Sequence, residues 1–295
     1  MAIPDGMRKC VVFLGYELPN KQMQIGGSAF WVIRQVAGTN FAYLVTARHC
    51  IEKIINSGCD TVQLRVNFKD GLAAPVATRT MDWKFHQDYA VDVAVLQREL
   101  PADFDHLGWL SSWFYNVSGG PQFFLNEPKL GIGDDIFVIG LFSQRSGEAK
   151  NVPIVRMGNL AAMPDDSEPI KTDRGPMVAY LVETHSMGGL SGSPVFADLF
   201  GSRQDRDSVG HPAFYLIGLI HGHFPSDRLE TDTVKKENDK LNTGIAVVVP
   251  CDRITETIDY HFKCDEVAVT KAQKKISATP DVQSNIAIEP FTGIS

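Results

Sequence analysis

The 295-residue sequence has no run of about 18 apolar residues, so it offers no candidate for a membrane-spanning helix. It has no Cys-x-x-Cys pair either. Its five cysteines (Cys10, Cys50, Cys59, Cys251 and Cys264) lie far apart. Such an odd, scattered set makes a poor metal site and no disulfide framework, and is expected to be free thiols in a reducing compartment. Basic clusters are missing as well. The chain carries 28 basic against 35 acidic residues, a net charge of −7, and its densest basic pairs (Lys235-Lys236, Lys274-Lys275) sit among acids or near the end. That excludes a nucleic-acid partner held by phosphate attraction. With 44 % hydrophobic and 21 % charged residues, disorder, collagen and coiled coil are also out. The one early apolar run, Cys10 to Tyr16, is too short for a secretory signal and reads as a first strand, so a cytoplasmic protein is expected.

Short β-prone segments are abundant. They are Val11 to Tyr16, Ser28 to Val36, Ala42 to Thr46, Thr61 to Phe68, Val91 to Gln97, Asp135 to Ile139, Val178 to Glu183, Pro194 to Phe196, Ala213 to Ile220 and Gly244 to Val249. Rich in Val, Ile, Phe and Tyr and bounded by Gly, Pro or Asp, they predict an all-β barrel or sandwich. Helical periodicity appears in Asp252 to Phe262, after Pro250, and a short second helix is expected over His49 to Ile55. The charged stretches Asp165 to Arg174, Ser202 to Asp207 and Asp227 to Lys240 read as solvated loops. Residues 264–295, poor in aromatics and rich in Lys, Ser, Thr and Pro, read as a flexible tail.

Chemistry concentrates in three segments. Val45-Thr46-Ala47-Arg48-His49-Cys50 ends a strand on a histidine, Asp92-Val93-Ala94-Val95-Leu96 puts an acid at the head of a strand, and Gly188-Gly189-Leu190-Ser191-Gly192-Ser193-Pro194 places a serine in a glycine-rich turn. A serine hydroxyl needs a histidine to take its proton as it attacks, and the histidine needs a carboxylate to fix its tautomer. An oxyanion needs preorganised N–H donors, which flanking glycines can present. Asp88 rivals Asp92, but an unbroken strand follows Asp92. Ser193 rivals Ser191, but only Ser191 has glycines at both −2 and +1.

In this order the motifs resemble a chymotrypsin-fold (trypsin-like) serine peptidase of bacterial type, similar to the HtrA-like and glutamyl endopeptidase branches. The resemblance spans residues 10–260 and extends to Gly26-Gly27-Ser28-Ala29-Phe30 and to Gly133-Asp134-Asp135-Ile136-Phe137-Val138-Ile139-Gly140. It implies two packed six-stranded Greek-key β-barrels with a short C-terminal helix. Residues 1–125 would carry His and Asp, 126–263 would carry Ser and end in the helix, and the tail would follow. It also implies His49 as general base, Asp92 as its orienting carboxylate, Ser191 as nucleophile, the amides of Gly189 and Ser191 as oxyanion hole, and no cofactor. Leu190 precedes the nucleophile where zymogen-activated members have an aspartate, and Ile25 stands where a disulfide partner for Cys50 would lie.

The resemblance places the substrate pocket at His185 and Ser186, with His221 and His223 on the opposite wall, and predicts cleavage after Glu, Asp or Gln rather than Lys or Arg. Counted along an unbroken strand, His221 falls one residue late for that wall, and such a slip turns a side chain to the other face. A His221-x-His223 metal site lacks a third ligand of suitable spacing, so no metal is expected. The expected function is serine endopeptidase action on a protein or peptide, with neither membrane nor nucleic acid as partner. Without a zymogen cut, restraint falls to narrow specificity, a pocket loop or a regulatory protein partner. The competing reading is a catalytically silent member of the fold that binds a peptide or partner; a serine esterase is a lesser alternative.

Overall fold

Strict alternation builds the first sheet. In the strand Thr61–Asn67, Val62, Leu64 and Val66 point inward while their neighbours stay half-exposed. The computed structural model describes residues 3–36, 39–99, 102–105, 130–184, 189–198, 214–225 and 242–277. The N-terminal half contains β1 (Val11–Glu17), β2 (Met23–Val36), β3 (Thr39–Thr46), α1 (Arg48–Asn56), β4 (Thr61–Asn67), β5 (Ala73–Arg79), β6 (Lys84–Phe85) and β7 (Ala94–Gln97). Its seven strands pair in the order β5-β4-β1-β2-β3-β7-β6. Six were expected. β5 and the two-residue β6 escape sequence reading; Ala73-Ala74-Pro75 weakens the strand signal of β5, and the proline fits its place at the sheet edge.

The second half contains β8 (Asp135–Gly140), β9 (Ile154–Ala162), β10 (Ile170–Thr172), β11 (Gly175–Met177), β12 (Tyr180–Glu183), β13 (Pro194–Asp198), β14 (Phe214–Pro225), β15 (Asn242–Pro250) and α2 (Cys251–Ser277). Six of its strands close a barrel in the order β12-β15-β14-β13-β8-β9, and β10-β11 form a separate hairpin. Of these, β8 and β13 read as continuous apolar runs because both of their faces are buried. On β8, Ile136 and Val138 join one core cluster, while Phe137 and Ile139 join the larger cluster that contains Phe13, Phe30, Trp31 and Leu44 of the first sheet.

Met1–Ile258 forms one compact unit and Asp259–Ser295 a second. The expected junction between barrels at 125/126 lies outside the described residues. α2 runs to Ser277, well past the expected end at Phe262 and into the segment read as a tail. The reason is local: Glu266, Ala268, Lys271, Ala272, Gln273, Lys274 and Lys275 are good helix formers, and no proline occurs between Pro250 and Pro280. All five cysteines are free thiols. No described helix is long and apolar enough to cross a membrane.

Candidate active site

Three segments converge on one carboxylate. Asp92 lies just before β7 and its side chain is 0 % exposed. A helix start leaves N–H groups unpaired, and at the start of α1 the His49 backbone N–H donates to Asp92 Oδ1 at 2.8 Å. The His49 ring adds a second bond, Nδ1 donating to Oδ2 at 2.6 Å. From the second half of the chain, His221 Nδ1 donates to the same Oδ2 at 2.6 Å, and Arg174 Nε stands 3.5 Å from Oδ1. The His49 and His221 rings meet edge to face, with centroids 5.7 Å apart.

Burial alone would raise the pKa of Asp92. Hydrogen bonds from His221 and His49, together with their charges, outweigh it and hold the carboxyl far below the usual carboxylate range. An ionised carboxylate only accepts, so both Nδ1 atoms carry protons. For His49, burial opposes the charged form. The neighbouring Cys50 sulfur and the Asp92 carboxylate outweigh burial and raise its pKa above the ordinary imidazole value. Cys50 Sγ lies 3.6 Å from His49 Nε2.

A bulge explains His221. The β14–β15 register shifts between Ile220 and Gly222, and His221 is the extra residue at that step. The sequence reading puts it on the pocket wall, with its register in doubt; here it is engaged with Asp92, a contact that strand counting without the bulge does not foresee. His223 is exposed. His185 and Ser186 lie outside the described residues, as do the two later charged stretches, 202–207 and 227–240.

Arg174 corrects the reading of its segment as a solvated loop. Asp165 to Glu168 are exposed as expected, but the Arg174 side chain is only 10 % exposed. It sits in the turn between β10 and β11, pairs with Glu52 of α1 and lies over the Tyr89 ring, 4.8 Å from its centroid. Arg48 holds Glu52 from the other side at 2.7 Å. A charge run cannot reveal which of its members turns inward. Asp88 is exposed and caps the Ala90 N–H at 2.9 Å, so it is far from the role its sequence context allowed.

The serine turn is pinned from both halves. The Ser28 N–H donates to the Ser191 carbonyl at 3.0 Å, and Ser28 Oγ donates to the Gly189 carbonyl at 3.3 Å. Within its own barrel the Gly192 N–H donates to the Ile220 carbonyl at 2.8 Å. Gly192 has φ +79°, and a Cβ there would lie 2.2 Å from both Ser28 O and Thr46 Oγ1, so only glycine fits. Ser191 is half-buried, with Oγ donating to the His221 carbonyl at 3.4 Å. Ser193, weighed against Ser191 from the sequence, is 0 % exposed and packs against Gly140. The N–H groups of Gly189 and Ser191 donate to no other described residue. Ser28 and Thr46 were missed as site supports; Ser28 lies in a family-like segment, but no pattern marks its hydroxyl.

The architecture and strand order are consistent with a chymotrypsin-like double barrel. Among solved structures the chain is similar to Deg5, with 18 % identity over 86 % of this chain and 90 % of that one and a TM-score of 0.48. It is also similar to kallikrein-related peptidase 10 (13 % identity, 89 % and 100 % covered, TM-score 0.49) and to human heparin binding protein (13 %, 88 % and 92 %, 0.45). No family model matches the sequence, and no curated protein matches it significantly.

Proposed function

We propose that the protein is a serine endopeptidase acting on protein or peptide substrates. Ser191 is the nucleophile, His49 the general base and Asp92 the carboxylate that orients it. The observation that carries this reading is the doubly held His49, with backbone N–H and Nδ1 both donating to the buried Asp92. That arrangement fixes the ring as the Nδ1–H tautomer and leaves Nε2 to take a proton.

Catalysis begins when Ser191 Oγ leaves the His221 carbonyl and turns to His49 Nε2. Oγ attacks the scissile carbonyl carbon as its proton passes to Nε2, and Asp92 stabilises the imidazolium. The N–H groups of Gly189 and Ser191 receive the oxyanion. The imidazolium then gives its proton to the leaving amine, and water repeats the sequence to release the acyl group. Residues 1–125 supply the base and acid, and 126–263 the nucleophile.

One observation favours the silent reading: in this arrangement Ser191 Oγ bonds a carbonyl, while the group on His49 Nε2 is Cys50. A fluorophosphonate probe separates the two. A Ser191 adduct is expected on the wild-type chain, and both adduct and peptide cleavage should vanish in Ser191→Ala, with a loss on the order of 10⁴-fold or more. No adduct and no cleavage across a peptide library would sink the peptidase reading.

A further inference from the structure

We propose that His49, Asp92 and His221 form a binding site for a divalent cation of the zinc class, and that the bound ion switches the serine centre off. The switching, though not the binding, rests on the peptidase reading above. Their ligand atoms (two Nδ1 and one carboxylate oxygen) all lie within 4.8 Å of one another, the one such group among the described residues. Two imidazoles and one carboxylate with a fourth position left to water is a common zinc donor set.

The geometry is close to what an ion needs. Each Nδ1 stands 2.6 Å from Asp92 Oδ2. Zinc bonds of about 2.0–2.2 Å in a tetrahedron separate neighbouring ligand atoms by a little over 3 Å, so each Nδ1–Oδ2 distance opens by under about 1 Å, and each Nδ1 gives up the proton it now donates. Both histidine side chains are partly exposed, 16 % and 20 %, although Asp92 is sealed. His221 sits in a strand bulge, where backbone pairing is already interrupted.

The outer shell fits as well. Metal-bound carboxylates are oriented by hydrogen bonds to their second oxygen. Here Oδ1 accepts from the His49 N–H at 2.8 Å and faces Arg174 Nε at 3.5 Å, which leaves Oδ2 as a single ligand atom. The His221-x-His223 pairing considered from sequence is not the one used, because the bulge directs His221 to a base and an acid from other segments.

Coordination explains the inhibition. In the neutral form of His49 the Nδ1 proton points at Asp92, and Nε2 holds the lone pair that Ser191 requires. An ion on Nδ1 takes that nitrogen's lone pair, and the neutral ring then carries its proton on Nε2. It can no longer accept a proton from Ser191, and Asp92 is occupied by the metal.

The test uses the full chain, stripped with chelator and titrated with Zn²⁺ in a calorimeter, with Co²⁺ as a spectroscopic substitute. One ion per chain is expected, with the visible absorption of four-coordinate Co²⁺. Ser191→Ala should bind Zn²⁺ as the wild type does. His221→Phe and His49→Gln should each weaken it by more than the roughly 10–100-fold that outer-shell changes cost. His221→Gln provides a second variant if the first fails to fold, with folding checked by circular dichroism. In the wild type, Zn²⁺ should abolish peptide cleavage and chelator should restore it. Absence of binding, or binding indifferent to both histidines, overturns the site. Binding that depends on both histidines, in a chain without peptidase activity, upholds the site and overturns only the peptidase reading.

Discussion

His49 and Asp92 belong to one sheet and its helix, and local elements hold them: the free N–H at the start of α1 meets a carboxylate placed by the approach to β7. The Ser191 turn is held differently. It belongs to the second barrel, yet Ser28 of β2 clasps it at two carbonyls and Thr46 of β3 closes over Gly192. On the proposed roles, base and acid already meet within their own half, with His221 and Arg174 of the second half added to the acid, whereas the turn of the nucleophile is clasped across the two halves. Substitutions at the clasp should cost more than similar ones elsewhere.

Gly192→Ala against Gly58→Ala gives the largest expected effect. Both glycines have positive φ, +79° and +80°, but Gly58 faces open space while a Cβ at Gly192 meets Ser28 O and Thr46 Oγ1 at 2.2 Å. Gly58→Ala should cost only the left-handed backbone penalty, about 1–2 kcal/mol. Gly192→Ala should cost about 3 kcal/mol or more and disable the serine turn. Chemical denaturation of both variants checks this, and equal losses would show that the clasp adds nothing.

Much of this contrast could be read in the amino-acid sequence, and the unread part has a physical cause. His49, Asp92 and the Gly189–Ser193 turn announce themselves because their neighbours obey local rules: a strand ending at a histidine, an acid before an apolar run, glycines around a serine. The structure brings the first two together and places the third in a tight turn. β5 was hidden by its proline, and the second half of α2 by a composition shared with tails. The contacts of His221 and Arg174 with Asp92 could not be read at all. A bulge directs the first and a hairpin turn the second, and neither leaves a period in the sequence. The acid's surroundings are thus built half from local pattern and half from contacts that only the assembled halves make.

Arg174 tests that second contribution at intermediate size. Its guanidinium joins Asp92 and Glu52 across the two halves and is nearly buried. Arg174→Gln should lower stability by about 2 kcal/mol, because a buried pair loses one partner. On the proposed mechanism Asp92 would also be less firmly oriented, so kcat should fall roughly 10-fold with KM little changed. Arg174→Lys should restore charge without the planar fork, and hence only part of kcat. A change in KM alone would mean that Arg174 touches substrate and does not position the acid.

The smallest effect is a pH shift, and it isolates the local half. The Cys50 sulfur and Asp92 raise the pKa of His49 against the opposing influence of burial. On the proposed mechanism His49 acts as a base only above that pKa, so kcat/KM should climb with pH along a limb centred above the ordinary imidazole value of about 6.5. The same shift makes the charged His49–Asp92 pair stabilising below the unfolded imidazole pKa, and that stabilisation is lost as pH rises through the folded value. Cys50→Ala removes one of the raising influences without touching Asp92, so both the kinetic limb and the stability transition should move to lower pH together. The substitution also removes a buried sulfur, which lowers stability at every pH by roughly 1 kcal/mol and does not mimic a displaced limb. An unmoved limb in Cys50→Ala would assign the whole shift to Asp92 and leave the thiol beside His49 without influence on the base.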